Sequence, residues 1–323
     1  QSDSHSIRLM RMKFTRRYML GLAGLGSMGL AIAVSGRSFG KSLISQARTI
    51  QDASKVNSNL PDVPSQEPPL LRFVATADTG SGDKNQFAVG EAIARYHDQN
   101  PFELAVLGGD NIYNSGDIAL IGSTFEQPYA KVLARGVKFR ACLGNHDIRT
   151  ANAVPQVNYP GFHMDGRYYT YSDGPAQFFV LDTNGNIDWK AQMNWLETTL
   201  KASTASWKIV YGHHPIYSSG HYGTDPAFVA RFTPLFKKYN VNLYINGHEH
   251  HYERSNPIDG TTYLITGHGG ASLRPVTAKP PTSAFAVSRF GFSTVEIWTD
   301  RMVIQGIGTD GTVFDRGVVM KKA

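Results

Sequence analysis

A single cysteine, Cys142, in 323 residues excludes an internal disulfide framework and any thiolate-rich zinc or iron–sulfur site, because each needs several sulfurs converging on one place. A metal held by this chain must be held by nitrogen and oxygen. Charge is sparse as well: 18% of residues are Asp, Glu, Lys or Arg, and the formal excess of +6 is unevenly spread. Within residues 1–49, Arg8, Arg11, Lys13, Arg16, Arg17, Arg37, Lys41 and Arg48 face only Asp3, which leaves the remainder close to neutral. A nearly neutral body has no field with which to track a polyanion, so small substrates are expected and nucleic acid is not. Long apolar runs are also missing. The most apolar stretch, Tyr18 to Val34, is diluted with glycine and falls short of the ~20 strongly apolar residues a membrane span requires.

What the N-terminus does carry is a targeting pattern. Basic residues up to Arg17 precede the apolar run, and Ala31 and Ala33 offer a small-residue cleavage pattern. The stretch Thr15-Arg16-Arg17-Tyr18-Met19-Leu20 resembles a twin-arginine signal, the bacterial kind that exports proteins already folded. The expectation is an export signal over 1–37, with the twin-arginine machinery as partner. It implies a periplasmic or secreted product with no stable membrane association after processing, an uncleaved anchor being the competing reading. Ser, Asn and Gln with Pro61, Pro64, Pro68 and Pro69 give 38–69 the composition of a linker. Residues 70–323 are then one catalytic domain.

Within that domain, short β-rich runs alternate with helical patterns. Leu70–Ala77, Leu104–Leu107, Lys138–Leu143, Lys208–Tyr211 and Val241–Ile245 each stop at a polar cluster. Asp83 followed by Gln86 marks a helix start, with Phe87, Val89, Ile93 and Tyr96 expected inward. Met193, Trp195, Leu196 and Leu200 mark a second helix; Phe228, Phe232, Leu235 and Phe236 mark a third. The alternation predicts an α/β fold of two packed mixed β-sheets flanked by helices, with ligands beyond the carboxyl ends of strands. From about Tyr263 the pattern turns hairpin-like, which suggests that the second, more antiparallel sheet is built there.

Singly, an Asp after a strand is an ordinary helix cap and a lone His an ordinary core or surface group. Five consecutive runs that deliver Asp, Asn or His at the same end, usually with glycine alongside, are another matter. Converging carboxylates and imidazoles in one cleft are costly unless cations neutralise them. Two metal ions would do so.

The blocks Asp78-Thr79-Gly80, Gly109-Asp110-Asn111-Ile112-Tyr113, Gly144-Asn145-His146-Asp147, Val210-Tyr211-Gly212-His213 and Gly247-His248-Glu249-His250 resemble, in order, the five motifs of calcineurin-like metallophosphoesterases. Tyr113, three residues after Asp110, narrows the resemblance to purple acid phosphatases. Size suggests the small, tartrate-resistant type, while His250-His251-Tyr252-Glu253-Arg254-Ser255 resembles the plant enzymes. One departure is Ala77, where the family has glycine.

The resemblance implies that Asp78, Asp110, Tyr113 and His250 hold one metal and that Asp110, Asn145, His213 and His248 hold the other. Fe(III) suits the phenolate site, and a divalent ion, iron, zinc or manganese, suits the second. It implies hydrolysis of small phosphate monoesters by a metal-activated hydroxide, with His146 protonating the leaving oxygen and His221 near the phosphate. Two alternatives remain: a phosphodiesterase or nucleotidase with two divalent ions, or a non-catalytic exported metal-binding protein. Asp147 is expected to orient His146 or cap its loop, His214 and His251 to stand behind the ligands or at the surface, Asp182 to be structural, and Cys142 to be a buried small hydrophobe.

Overall fold

The computed structural model describes residues 55–62 and 67–321. The expected export signal, 1–37, lies outside the described residues. No helix among the described residues is long and apolar enough to cross a membrane.

Among the described residues, thirteen strands form two sheets. The first sheet contains β1 (Leu71–Thr76), β2 (Leu104–Leu107) and β3 (Lys138–Ala141), which pair in parallel. On the other side of β1 it continues antiparallel through β11 (Gly291–Ile297), β12 (Arg301–Gly308) and β13 (Val313–Met320). The second sheet has the order β10-β8-β9-β7-β6-β5-β4. Its strands are β4 (Tyr169–Asp173), β5 (Ala176–Val180), β6 (Trp207–Tyr211), β7 (Leu243–Asn246), β8 (Tyr252–Ser255), β9 (Thr262–Thr266) and β10 (Ser283–Val287). Pairing from β5 through β6 and β7 to β9 is parallel.

The period of two along each strand decides the layering. Phe73 and Ala75 of β1 join Phe178, Ile209, Leu264 and Val295 in the apolar layer between the sheets. Val74 points the other way, into a cluster with Val89 and Ile93 of helix α1 (Lys84–Gln99). On the far face of the second sheet, Val210 and Tyr244 meet Leu196 and Leu200 of α2 (Trp189–Ala202) and Phe232 and Phe236 of α3 (Pro226–Lys238). The result is helix on sheet on sheet on helix, the α/β sandwich that the alternation predicts. Each of these three helices starts on an aspartate that accepts from backbone N–H groups of its first turn: Asp83, Asp188 and Asp225. The segment 55–62 lies along β13, with Asn57 donating to Phe314 O (2.7 Å) and to Asp315 Oδ1 (2.8 Å).

Two expectations need correction. The second sheet does not begin near Tyr263: the chain changes sheets between β3 and β4, and the C-terminal strands β11 to β13 extend the first sheet beyond β1. Alternation along a strand says which side chains are buried but not which sheet edge is free to receive them. Phe87, expected inward, is 37% exposed. At about 100° per residue it lies about 200° round the helix from Val89, whereas Ile93 and Tyr96 fall on Val89's side.

Candidate metal centre

Every motif strand points its carboxyl end at one place. Asp78 follows β1, Asp110 and Tyr113 follow β2, Asn145 and His146 follow β3, His213 follows β6, and His248 and His250 follow β7. The turns are tight: Asp78, Asp110 and His248 have φ of 55°, 52° and 68°, a region non-glycine residues seldom adopt. Glycine allows the crowding. A Cβ on Gly109 (φ +89°) would stand 2.7 Å from His213 Nδ1, and one on Gly144 would strike Asp110.

The donors form two groups that share Asp110. In the first, Tyr113 Oη is 2.9 Å from Asp78 Oδ1 and 3.3 Å from His250 Nε2, which is itself 3.3 Å from Asp78 Oδ1. In the second, Asn145 Oδ1 is 3.2 Å from His213 Nε2 and 2.9 Å from His248 Nδ1, and His213 Nε2 is 3.4 Å from Asp110 Oδ2. Asp78, Asp110 and His213, all buried, each bring a ligand atom within 4.8 Å of the others.

Backbone carbonyls fix which nitrogen each histidine offers. His213 Nδ1 donates to Gly108 O (2.9 Å) and His250 Nδ1 donates to Ser272 O (2.8 Å), so each ring turns its Nε2 inward and, once deprotonated, offers a lone pair there. Lone pairs of imidazole, amide and carboxylate thus face one another at hydrogen-bond distance, an arrangement that fits nitrogen- and oxygen-bound cations. The electrostatics agree. Burial, then Asp78 and Asp110, push the Tyr113 phenol well above its usual range, so its ionisation calls for a strong cation beside it. Without a cation, burial lowers His213 but the Asp110 carboxylate overcomes this and raises its pKa to about 9, so a metal ion there would take the place of a proton. Burial and His213 together push His248 down and keep it neutral.

His146 stands at the mouth of the site. Its Nδ1 is 2.7 Å from Asn114 O, and its Nε2 lies 3.9 Å from Asp110 Oδ2. Asp147 does not touch the His146 ring. Fully buried, it accepts from Asn111 N, Ile112 N and Gly144 N at 2.8 to 3.1 Å and so ties the second motif loop to the third. Asp182 is structural: its buried carboxylate pairs with Arg167 at 2.6 Å. His214 stands behind the ligands, its ring 4.5 Å from that of His248. His251 is fully buried against Glu253, 3.1 Å away, and so is not at the surface. Cys142 is buried, and burial raises its thiol pKa well above the ordinary value.

His221 sits off to one side. It is exposed, its ring 4.9 Å from that of Tyr222, and Tyr222 is the neighbour that stacks on His248, at 4.4 Å. Residues that the motifs did not single out are Tyr222; Arg274, which donates to His248 O (3.0 Å); and Arg149, 3.2 Å from His146 Nε2. None belongs to a spaced motif. Only the strand-end position of their loops could have drawn attention to them.

A two-sheet sandwich with these donors at its strand ends defines a metallophosphoesterase. The model of the calcineurin-like phosphoesterase family matches residues 71–252, and the chain belongs to that family. The likeness to purple acid phosphatases read from the motifs is borne out by Purple acid phosphatase 17 of Arabidopsis thaliana, 25% identical over 80% of this chain and 87% of that protein. Two solved structures share the fold. One is GAP50, described as the anchor in the inner membrane complex of Plasmodium, with a TM-score of 0.69, 23% identity and coverage of 78% of this chain and 89% of that one. The other is purple acid phosphatase PPD1 from yellow lupin, with a TM-score of 0.68, 20% identity and coverage of 77% of this chain and 53% of that one.

Proposed function

We propose that the protein is an exported acid phosphatase that hydrolyses small phosphate monoesters at a centre of Fe(III) with a divalent ion, iron, zinc or manganese. The observation that carries this reading is the pair of donor groups sharing Asp110, one with a phenol and one with an amide and two imidazoles. A phenolate suits a ferric ion, and the nitrogen-rich set suits a divalent one. When bound, such a pair supplies Lewis acidity and an activated water, so no protein nucleophile is needed.

The chain's own residues do the rest. Asp78, Tyr113 and His250 would hold one ion and Asn145, His213 and His248 the other, with Asp110 between them. His146, anchored at Nδ1 and with Arg149 3.2 Å from Nε2, would pass a proton from Nε2 to the departing oxygen. The near-neutral body supports a small substrate.

Metal analysis of the purified protein with a visible spectrum tests the centre. One iron and one second metal, with an absorption band that Tyr113→Phe abolishes, is the expected result. A colourless protein holding two zinc ions would instead support the two-divalent-ion alternative. Export rests on Arg16 and Arg17, and replacing both by Lys should retain active enzyme in the cytoplasm. Undiminished export of that variant would overturn the twin-arginine assignment.

A further inference from the structure

Next to the metal ligands is a groove of about 190 Å³ lined by His221, Tyr222, Arg274, Pro275 and Thr277. Its position is set from below by two carboxylates on the ligand-bearing segment. Glu249 Oε1 accepts from Tyr222 N (2.5 Å) and Ser218 Oγ (3.3 Å), and Glu253 Oε2 accepts from Ser219 N (2.8 Å). Both acids are buried, and Glu249 Oε1 and Glu253 Oε2 each hold a backbone donor of this one loop. The far wall is tied to the same loop, since Thr277 N and Ala278 N both donate to Ser219 O at 3.0 Å.

The surfaces so presented are chemically distinct from the metal site. One face of the Tyr222 ring stacks on His248, yet Tyr222 remains 53% exposed. Arg274 lies 5.2 Å from the Tyr222 ring centre and uses Nη1 on His248 O. Arg72, Arg167 and Arg254, also partly buried, each pair with a carboxylate, whereas Arg274 has no ion-pair partner among the described residues. A guanidinium without an acid, beside an open aromatic face, fits a planar anionic group.

We propose that this groove receives the leaving-group half of the substrate and that Arg274 selects esters whose leaving group carries a second negative charge, such as a carboxylate, with Tyr222 packed against its body. The proposal rests on the phosphatase reading above. In the hydrolysis, the oxygen of water bonds to phosphorus, the ester P–O bond breaks, and the alcohol departs with a proton while its anionic group stays on Arg274.

The test compares phenyl phosphate with 4-carboxyphenyl phosphate, and benzylphosphonate with 4-carboxybenzylphosphonate, whose P–C bonds are not hydrolysed. The native enzyme should favour the carboxylated member of each pair, by kcat/KM for the esters and by calorimetric affinity for the phosphonates, by about 10-fold, as one charge-assisted contact allows. Arg274→Met should bring both ratios close to one, and Arg274→Lys should keep part of the preference, with metal content measured for each. No preference in the native enzyme, or an undiminished ratio in Arg274→Met, overturns the proposal. So does a loss of metal in both variants that accounts for the change, since Arg274 would then act through His248. If neither ester is hydrolysed but the phosphonate ratio behaves as expected, the phosphatase reading fails and the groove assignment stands.

Discussion

An imidazole anchored at one nitrogen has only the other to offer, and His146 is anchored at Nδ1 by Asn114 O. Its removal should matter in proportion to how badly the leaving oxygen needs a proton. His146→Ala should therefore retain both metals and lose about 10²- to 10⁴-fold in kcat on alkyl phosphates, with a much smaller loss on nitrophenyl phosphate, whose leaving group departs unprotonated. Equal losses on both substrates with metals intact would mean that His146 stabilises the phosphoryl oxygens. A second residue-scale prediction concerns His268, fully buried and donating through Nδ1 to Arg289 O. Burial pushes its pKa down to about 3, against about 6.5 in the unfolded chain. A depressed folded pKa means that stability is intact above about 6.5 and is lost as pH falls towards the folded value. Between pH 7 and 4.5 the loss should be about 1–3 kcal/mol, and His268→Gln should shrink the pH dependence of the urea midpoint. An unchanged dependence in that variant would remove His268 as its source.

At the scale of elements, the loop after β3 is held from a strand of the other sheet. Asp182, just past β5, grips Arg167, and Arg167 Nη1 donates to Asn152 O (2.6 Å). Asp182→Ala strands a partly buried guanidinium and releases that loop. The expected cost is about 2–4 kcal/mol, read from denaturant midpoints, together with weaker retention of the divalent ion through Asn145. A change below 0.5 kcal/mol, that of an ordinary surface substitution, would contradict this account.

Elements are also where sequence and structure part company. The ends of β1, β2, β3, β6 and β7 were legible because a short apolar run stops at a polar residue, with glycine directly beside it in all but β1, and Asp83 was legible as a cap from its local sequence. Which sheet β11 to β13 would join was not, because an edge is a property of the finished sheet. The donors of the site could be read from their motifs, whereas Tyr222 could not, since nothing in His221-Tyr222 tells which neighbour turns towards His248.

For the whole molecule, the proposed sharing of Asp110 between two ions gives a clear division. Asp110→Asn should lose both metals, while His213→Ala should lose mainly the divalent one, by elemental analysis of each variant. Equal loss of both metals from both variants would show the partition of ligands to be wrong. Ions that bind only the folded chain also raise thermal stability by mass action, so chelation should lower Tm.

The donors come from both sheets: Asp78, Asp110, Tyr113 and Asn145 from the first, and His213, His248 and His250 from the second. Ions seated there would rivet a seam, and a rivet leaves slowly. An ion held from both sheets leaves most readily when they part at that end, so metal loss is tied to opening of the seam as well as to motion of the loops that carry the donors. Its rate should level off as chelator concentration rises and should quicken with urea in step with unfolding. The enzyme would then survive dilution and metal-poor surroundings on kinetic inertness, whatever its equilibrium affinity.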